Sequence, residues 1–97
     1  MAEDARKVNQ SEAQEAATFK APPDYPSMAR QLKIEGTVEV EAFITEAGTV
    51  EKTNIVSGNP ILTRSVVEAL KKWKFKPFLS DGRPIKAIAQ LSFTFKL

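Results

Sequence analysis

The chain has no cysteine and no histidine among its 97 residues. Without cysteine there is no disulfide, no thiol nucleophile and no cysteine-ligated zinc. Without histidine the commonest general base and metal ligand is missing too. Both absences point away from an enzyme, and no catalytic, cofactor or metal site is expected. The lack of cysteine leaves the compartment open, because many extracytoplasmic domains also lack it. No apolar run approaches the roughly 20 residues that span a bilayer. Residues Met1 to Ala21 mix Glu3, Asp4, Arg6 and Lys7 without the apolar centre of a signal peptide. The expectation is either a cytosolic protein or a soluble piece of a longer chain. Excess charge is scarce as well: 14 basic against 12 acidic residues leave a net +2. Nucleic-acid binders need a clustered basic face, so nucleic acid is not the expected partner. The densest basic run, Lys71, Lys72, Lys74 and Lys76, reads as a solvated helix end countering the negative C-terminal dipole.

The strongest positive signal lies in the last third of the chain. Leu62, Val66, Ala69, Leu70 and Trp73 recur at helical spacing and form one apolar stripe. Asn59 and Pro60 are suited to the N-cap and first helical positions. Pro77 cannot continue a helix, so the spacing predicts an end near Trp73 or Lys74. Trp73 and Phe75 supply two large apolar groups at that exit, placed to lock the helix onto a sheet.

Upstream, Thr37 to Ile44 alternates, with Val38, Val40, Ala42 and Ile44 on one face and Thr37, Glu39, Glu41 and Phe43 on the other. Glu46-Ala47-Gly48 reads as a hairpin turn. The returning strand, Thr49 to Ser57, changes phase between Val50 and Ile55, which predicts a bulge within Glu51 to Thr53. A short helix is expected from Pro26 or Ser27 through Met28, Ala29 and Leu32, stopped by Gly36. Ser80 to Pro84 is a turn. The last strand, Ile85 to Leu97, puts Ile85, Ala87, Ala89, Leu91, Phe93, Phe95 and Leu97 on one face. Residues 1–21, rich in Ala, Glu, Gln, Lys and Ser, read as a flexible tether or frayed helix. The prolines of Ala21-Pro22-Pro23-Asp24-Tyr25-Pro26 mark a boundary, which makes 22–97 the domain. The predicted fold is a two-layer α+β domain in the order short helix-β-β-α-β, with a three-stranded antiparallel sheet packed on two helices.

Four pieces, in this order and spacing, resemble the C-terminal domain of the TonB family. They are Pro23-Asp24-Tyr25-Pro26, similar to the family's P-x-Y-P; Glu35-Gly36-Thr37-Val38-Glu39-Val40, similar to E-G-x-V-x-V; Gly48-Thr49-Val50; and Trp73-Lys74-Phe75-Lys76-Pro77, similar to W-x-[FY]-x-P. The resemblance covers Pro22 to Leu97. It implies a periplasmic domain whose parent is anchored in the inner membrane and driven there by the ExbB/ExbD proton motor. It also implies binding of the TonB box, a short extended segment of outer-membrane TonB-dependent transporters, as an added strand beside the last strand. Two departures stand out: Pro22 occupies the position often held by Gln, and the chain carries no anchor or long proline-rich spacer.

On that footing the candidate partner-binding residues are Ile88, Ala89, Gln90, Leu91, Ser92, Phe93 and Thr94, with Pro23, Tyr25 and Pro26 in support. Tyr25 has two readings, a staple for the incoming segment and a contact for the bound peptide. A free edge would take a peptide. A covered one, with Lys86 and Lys96 as gatekeepers or the segment before Pro22 lying over it, would not. The same edge leaves a homodimer open. The rival reading is a TolA-like envelope scaffold that binds a folded protein and transports nothing. Glu39 and Glu41 read as a solvated strand face rather than an acid–base pair, and Ser65 and Lys72 do not share a helical face as a nucleophile pair would.

Overall fold

The computed structural model describes residues 5–97. In chain order the elements are β1 (Arg6–Val8), α1 (Gln10–Ala16), β2 (Ala17–Phe19), α2 (Ser27–Gln31), β3 (Gly36–Ile44), β4 (Val50–Ser57), α3 (Pro60–Leu70), β5 (Lys74–Phe75), β6 (Phe78–Ser80), β7 (Arg83–Ile85) and β8 (Ala87–Phe95). The fold is α+β, as expected. The three predicted strands are β8, β3 and β4, and β1 joins them, so the main sheet has four strands in the order β1-β8-β3-β4.

The hairpin forms because its alternation is consistent. Val38, Val40, Ala42 and Ile44 are buried, while Thr37 and Glu39 are exposed and Glu41 and Phe43 half-buried. Facing them on β8, Ala87, Ala89, Leu91 and Phe95 are buried. Strand β8 lies antiparallel to β3 along its whole length, from Gly36↔Phe95 to Ile44↔Ala87. The predicted bulge is present: Phe43 pairs with Lys52 and Ile44 with Val50, so Glu51 is passed over. A second shift passes over Val56, between the Glu39↔Ser57 and Val40↔Ile55 pairs.

Helix α3 covers the inner face with Leu62, Val66, Ala69 and Leu70. Its start follows the sequence reading, with Asn59 Oδ1 accepting from the Ile61 amide at 2.9 Å and Pro60 in the first turn. Its end comes earlier than predicted. The Lys72 and Trp73 amides donate to Ala69 and Leu70, a tightened three-residue pattern. Phe75 N then donates to Gly48 O at 2.8 Å, which draws β5 out of the helical path.

The stop of α2 also differs. Gly36 begins β3, and the left-handed position is taken by Lys33, with φ 55°. Lys33 N donates to Arg30 O and Ile34 N to Ala29 O, the two bonds of a Schellman motif. The predicted last strand is broken as well. Ile85 belongs to the β6–β7 hairpin opposite Phe78, and Leu97 is exposed.

The main revision concerns the stretch expected to be a tether. Over residues 5–21 it forms β1, α1 and β2 and sends Val8, Ala13 and Ala21 into the core. Asn9 Oδ1 accepts from Glu12 N at 2.8 Å, which caps α1. Strand β2 pairs with β5, and Lys76 N donates to Ala16 O.

Candidate functional site

The predicted site residues divide between one strand and the proline-rich segment before α2. Ile88, Ala89, Gln90, Leu91, Ser92, Phe93 and Thr94 all lie on β8. Ala89 and Leu91 are buried in the core and pair with Ala42 and Val40 of β3, so neither their side chains nor their ladder groups face a partner. Gln90 and Thr94 are exposed, and Ile88, Ser92 and Phe93 are half-buried. Phe93 turns its ring against Trp73, edge to face at 5.8 Å.

Successive residues of a strand point their backbone groups to opposite neighbours. The backbone groups that face away from β3 are those of Lys86, just before β8, and of Ile88, Gln90, Ser92 and Thr94 within it. Two hydrogen bonds identify that set: Arg6 N donates to Lys86 O at 3.0 Å, and Ser92 N donates to Gln10 Oε1 at 3.2 Å. Strand β1 runs parallel to β8 in the register Arg6↔Ala87, Lys7↔Ile88, Val8↔Ala89. The chain's own N-terminal segment therefore lies along the first half of the candidate edge, and Gln10 caps the next amide. This is the covered-edge alternative, built from β1 rather than from lysine gatekeepers.

At the other end of β8, Tyr25 packs its ring edge-on against Phe95 with centroids 5.5 Å apart, and the Arg30 guanidinium sits 5.4 Å from the Tyr25 ring centre. The Tyr25 hydroxyl donates to Ile34 O. Desolvation raises its pKa above the usual tyrosine value, Glu35 adds to the rise and Arg30 opposes it. Pro23, Tyr25 and Pro26 are all half-buried. Three side chains pin this irregular segment by its carbonyls and neighbours: Trp73 Nε1 donates to Ala21 O at 2.9 Å, Ser65 Oγ to Asp24 O, and Tyr25 to Ile34 O. Tyr25 thus has the staple geometry and also stands beside the end of β8. Pro26 faces a different hollow of about 240 Å³, between the proline-rich segment and α3, lined among others by Ile61, Arg64 and Glu68.

The outer face of the sheet carries a concavity of about 340 Å³ beside the edge, lined by Gln10, Glu39, Glu41, Val56, Gln90 and Ser92 among others. Glu39 and Glu41 accept from Ser57 Oγ and Asn54 Nδ2, which makes them cross-strand partners on a solvated face. Lys71, Lys72, Lys74 and Lys76 are all exposed. Among the described residues no group of three acidic, His or Cys side chains is placed to hold a metal ion, and no helix is long and apolar enough to cross a membrane.

The sequence reading missed Arg6–Val8 and Gln10. One local signal was available: Asn9 followed three residues later by Glu12 has the spacing of a capping box.

The family model for the Gram-negative bacterial TonB protein C-terminal region matches residues 21–97. The chain is 39% identical over 77 residues to protein TonB of Vibrio cholerae, covering 77% of this chain and 32% of that one. It is 41% identical over 80 residues to protein TonB of Salmonella typhimurium, covering 77% of this chain and 32% of the relative. It therefore spans about a third of the length of these curated relatives. The solution NMR structure of the Pseudomonas aeruginosa TonB CTD superposes with a TM-score of 0.73 at 32% identity, covering 94% of this chain and 92% of that one. That match takes in more of the chain than residues 21–97 alone supply.

Proposed function

Because this chain belongs to the Gram-negative bacterial TonB protein C-terminal family, we propose that it is the periplasmic, partner-binding end of a TonB-like energy transducer. It takes the TonB box of an outer-membrane TonB-dependent transporter as a strand added to β8. The parent chain, anchored in the inner membrane and driven by ExbB/ExbD, passes the work of the proton gradient through that contact to substrate import. Residues 22–97 are the binding unit, with the backbone of Ile88 to Thr94 as the ladder and Pro23, Tyr25 and Pro26 as its support.

The observation that carries this reading is β1. The outward edge of β8 already holds an extended segment in register, so it has the geometry of strand addition. A peptide making about five backbone hydrogen bonds gains roughly 5 kcal/mol, at about 1 kcal/mol net each. Apolar contacts add a similar amount, and ordering the peptide removes part of it. The outcome is a dissociation constant near micromolar, about −8 kcal/mol. Such a contact forms and releases repeatedly, which suits a transducer.

The test is an amide NMR titration with a synthetic TonB-box peptide from an outer-membrane transporter. Saturable shifts concentrated on residues 86–96 and around Tyr25 are expected. No response along β8 at millimolar peptide, both in the intact chain and with β1 unseated by Val8→Asp, overturns the reading.

A further inference from the structure

The strand-addition reading requires outward-facing backbone groups on β8, and from Lys86 to Ser92 the chain's own N-terminal segment engages them. Arg6 N reaches Lys86 O, the β1 register continues to Val8↔Ala89, and Gln10 Oε1 takes the Ser92 amide. We propose that residues Arg6–Gln10 are a resident pseudo-ligand, which closes β8 until an incoming peptide displaces it. The proposal rests on the strand-addition reading and adds its regulation.

The segment is built to be held lightly. Of the three β1 residues only Val8 is buried, at 2% exposure, and Arg6 and Lys7 are exposed. The Arg6–Glu12 ion pair, 3.3 Å long, is about half exposed on both sides, and such pairs contribute little. Helix α1 has seven residues and buries only Ala13, far below the length at which a helix stands alone. Lifting β1 away leaves the β8-β3-β4 ladder and α3 with every pairing they make to one another. These are the marks of a unit that opens locally while the rest of the fold persists.

The segment nonetheless competes well, because it is covalently attached. Its return to β8 is intramolecular, at an effective concentration on the millimolar scale. A peptide that needs the bare edge then binds more weakly in proportion to the time the edge is open; an edge covered nine-tenths of the time costs it about tenfold.

The resident segment also describes its competitor. The displacing peptide must be extended, must offer an apolar side chain to replace Val8 beside Ala89, and gains from a side-chain acceptor two residues later to take the Ser92 amide. The flanking positions are solvent-facing and accept polar side chains.

The experiment measures affinity for a fluorescent TonB-box peptide in four versions of the 97-residue chain. They are the intact chain, Val8→Asp, Arg6→Pro, and the double variant Lys7→Cys with Ile88→Cys. Arg6→Pro removes the ladder donor from an exposed residue and spares the core. The two cysteines face each other across strands about 4.8 Å apart, within the span of a disulfide. Cross-strand amide signals between β3 and β4 verify the fold of each. Val8→Asp is expected to bind about tenfold tighter than the intact chain and Arg6→Pro to tighten less. The oxidised double variant is expected to lose binding and regain it on reduction. A synthetic peptide of residues 5–10 is expected to bind Val8→Asp in trans.

Equal affinity in the intact, Val8→Asp and Arg6→Pro proteins overturns the pseudo-ligand and leaves strand addition standing. Undiminished binding to the oxidised double variant shows that the peptide does not use this edge, and overturns both. Failure of the peptide to bind any of the four also overturns both.

Discussion

Replacing Gly48 by alanine will cost this domain far more than the same change at Gly82, although both glycines have left-handed backbone, with φ +86° and +78°. For an L-residue that conformation alone costs about 1–2 kcal/mol. At Gly82 nothing lies within 4 Å of an added Cβ, so the conformational cost is the whole cost. At Gly48 the added carbon would stand 2.0 Å from Phe75 O and 3.0 Å from Phe75 C. Neither is a mobile side chain, so the two backbones must separate by more than an ångström. That breaks the 2.8 Å bond from Phe75 N to Gly48 O, and with it the Thr49↔Lys74 bridge. A buried group left unpaired costs about 1–3 kcal/mol. Together with the backbone cost, Gly48→Ala loses about 2–5 kcal/mol. The gap between the two variants is then about 1–3 kcal/mol, or roughly 4–24 °C in melting temperature for a domain of this size. Guanidinium unfolding of both variants, followed by circular dichroism, measures it directly. If Gly48→Ala falls within about 0.5 kcal/mol of Gly82→Ala, below any loss expected from an orphaned group, the close approach of the turn to β5 does not hold the domain together as argued.

Three further outcomes are expected. Trp73→Phe keeps an aromatic ring in the core but orphans the Ala21 carbonyl that Trp73 Nε1 engages at 2.9 Å, a loss of about 1–3 kcal/mol; urea unfolding with an unchanged midpoint would remove that bond from the account. Tyr25 is the sole tyrosine, so alkaline absorbance reads it alone, and the phenol should ionise above its ordinary value because burial raises it. The folded state holds this proton more tightly than the unfolded chain, so the contribution is intact below the ordinary tyrosine pKa and is lost as pH rises through the folded value; a Tyr25→Phe protein whose stability falls just as steeply over that window contradicts this. Asn59→Ala removes the cap on Ile61 N and should cost about 1 kcal/mol, against a few tenths for Asn59→Gly; equal losses in the two variants would assign the effect to something other than capping.

Much of the fold is written in short-range pattern. The α3 stripe and its Asn59-Pro60 start, the alternation of β3, and the bulge at Glu51 each depend on residues within a few positions of one another. Periodicity and capping chemistry express themselves at that range, and the α+β order follows from them. The same holds for the backbone of the candidate site, because β8 alternates plainly between Ala87 and Phe95.

The occupancy of that site has no such pattern. Arg6-Lys7-Val8 is three residues with one buried side chain, too short for any period, and its partner Ala87 to Ala89 lies some eighty positions away. Only the folded chain brings the two together. Lys33 takes a left-handed turn that local preference would give to glycine, because the Schellman bonds to Ala29 and Arg30 hold it there. Helix α3 stops before Trp73 because Phe75 finds a hydrogen-bond partner in Gly48, on another turn of the chain. At Lys33 the bonds that close the helix end, and at β1 and the end of α3 contacts from distant parts of the chain, outweigh a local preference of about 1 kcal/mol. The sequence therefore specifies the elements and their buried faces, while the assembled domain determines which strand lies beside β8 and so whether the edge stands open.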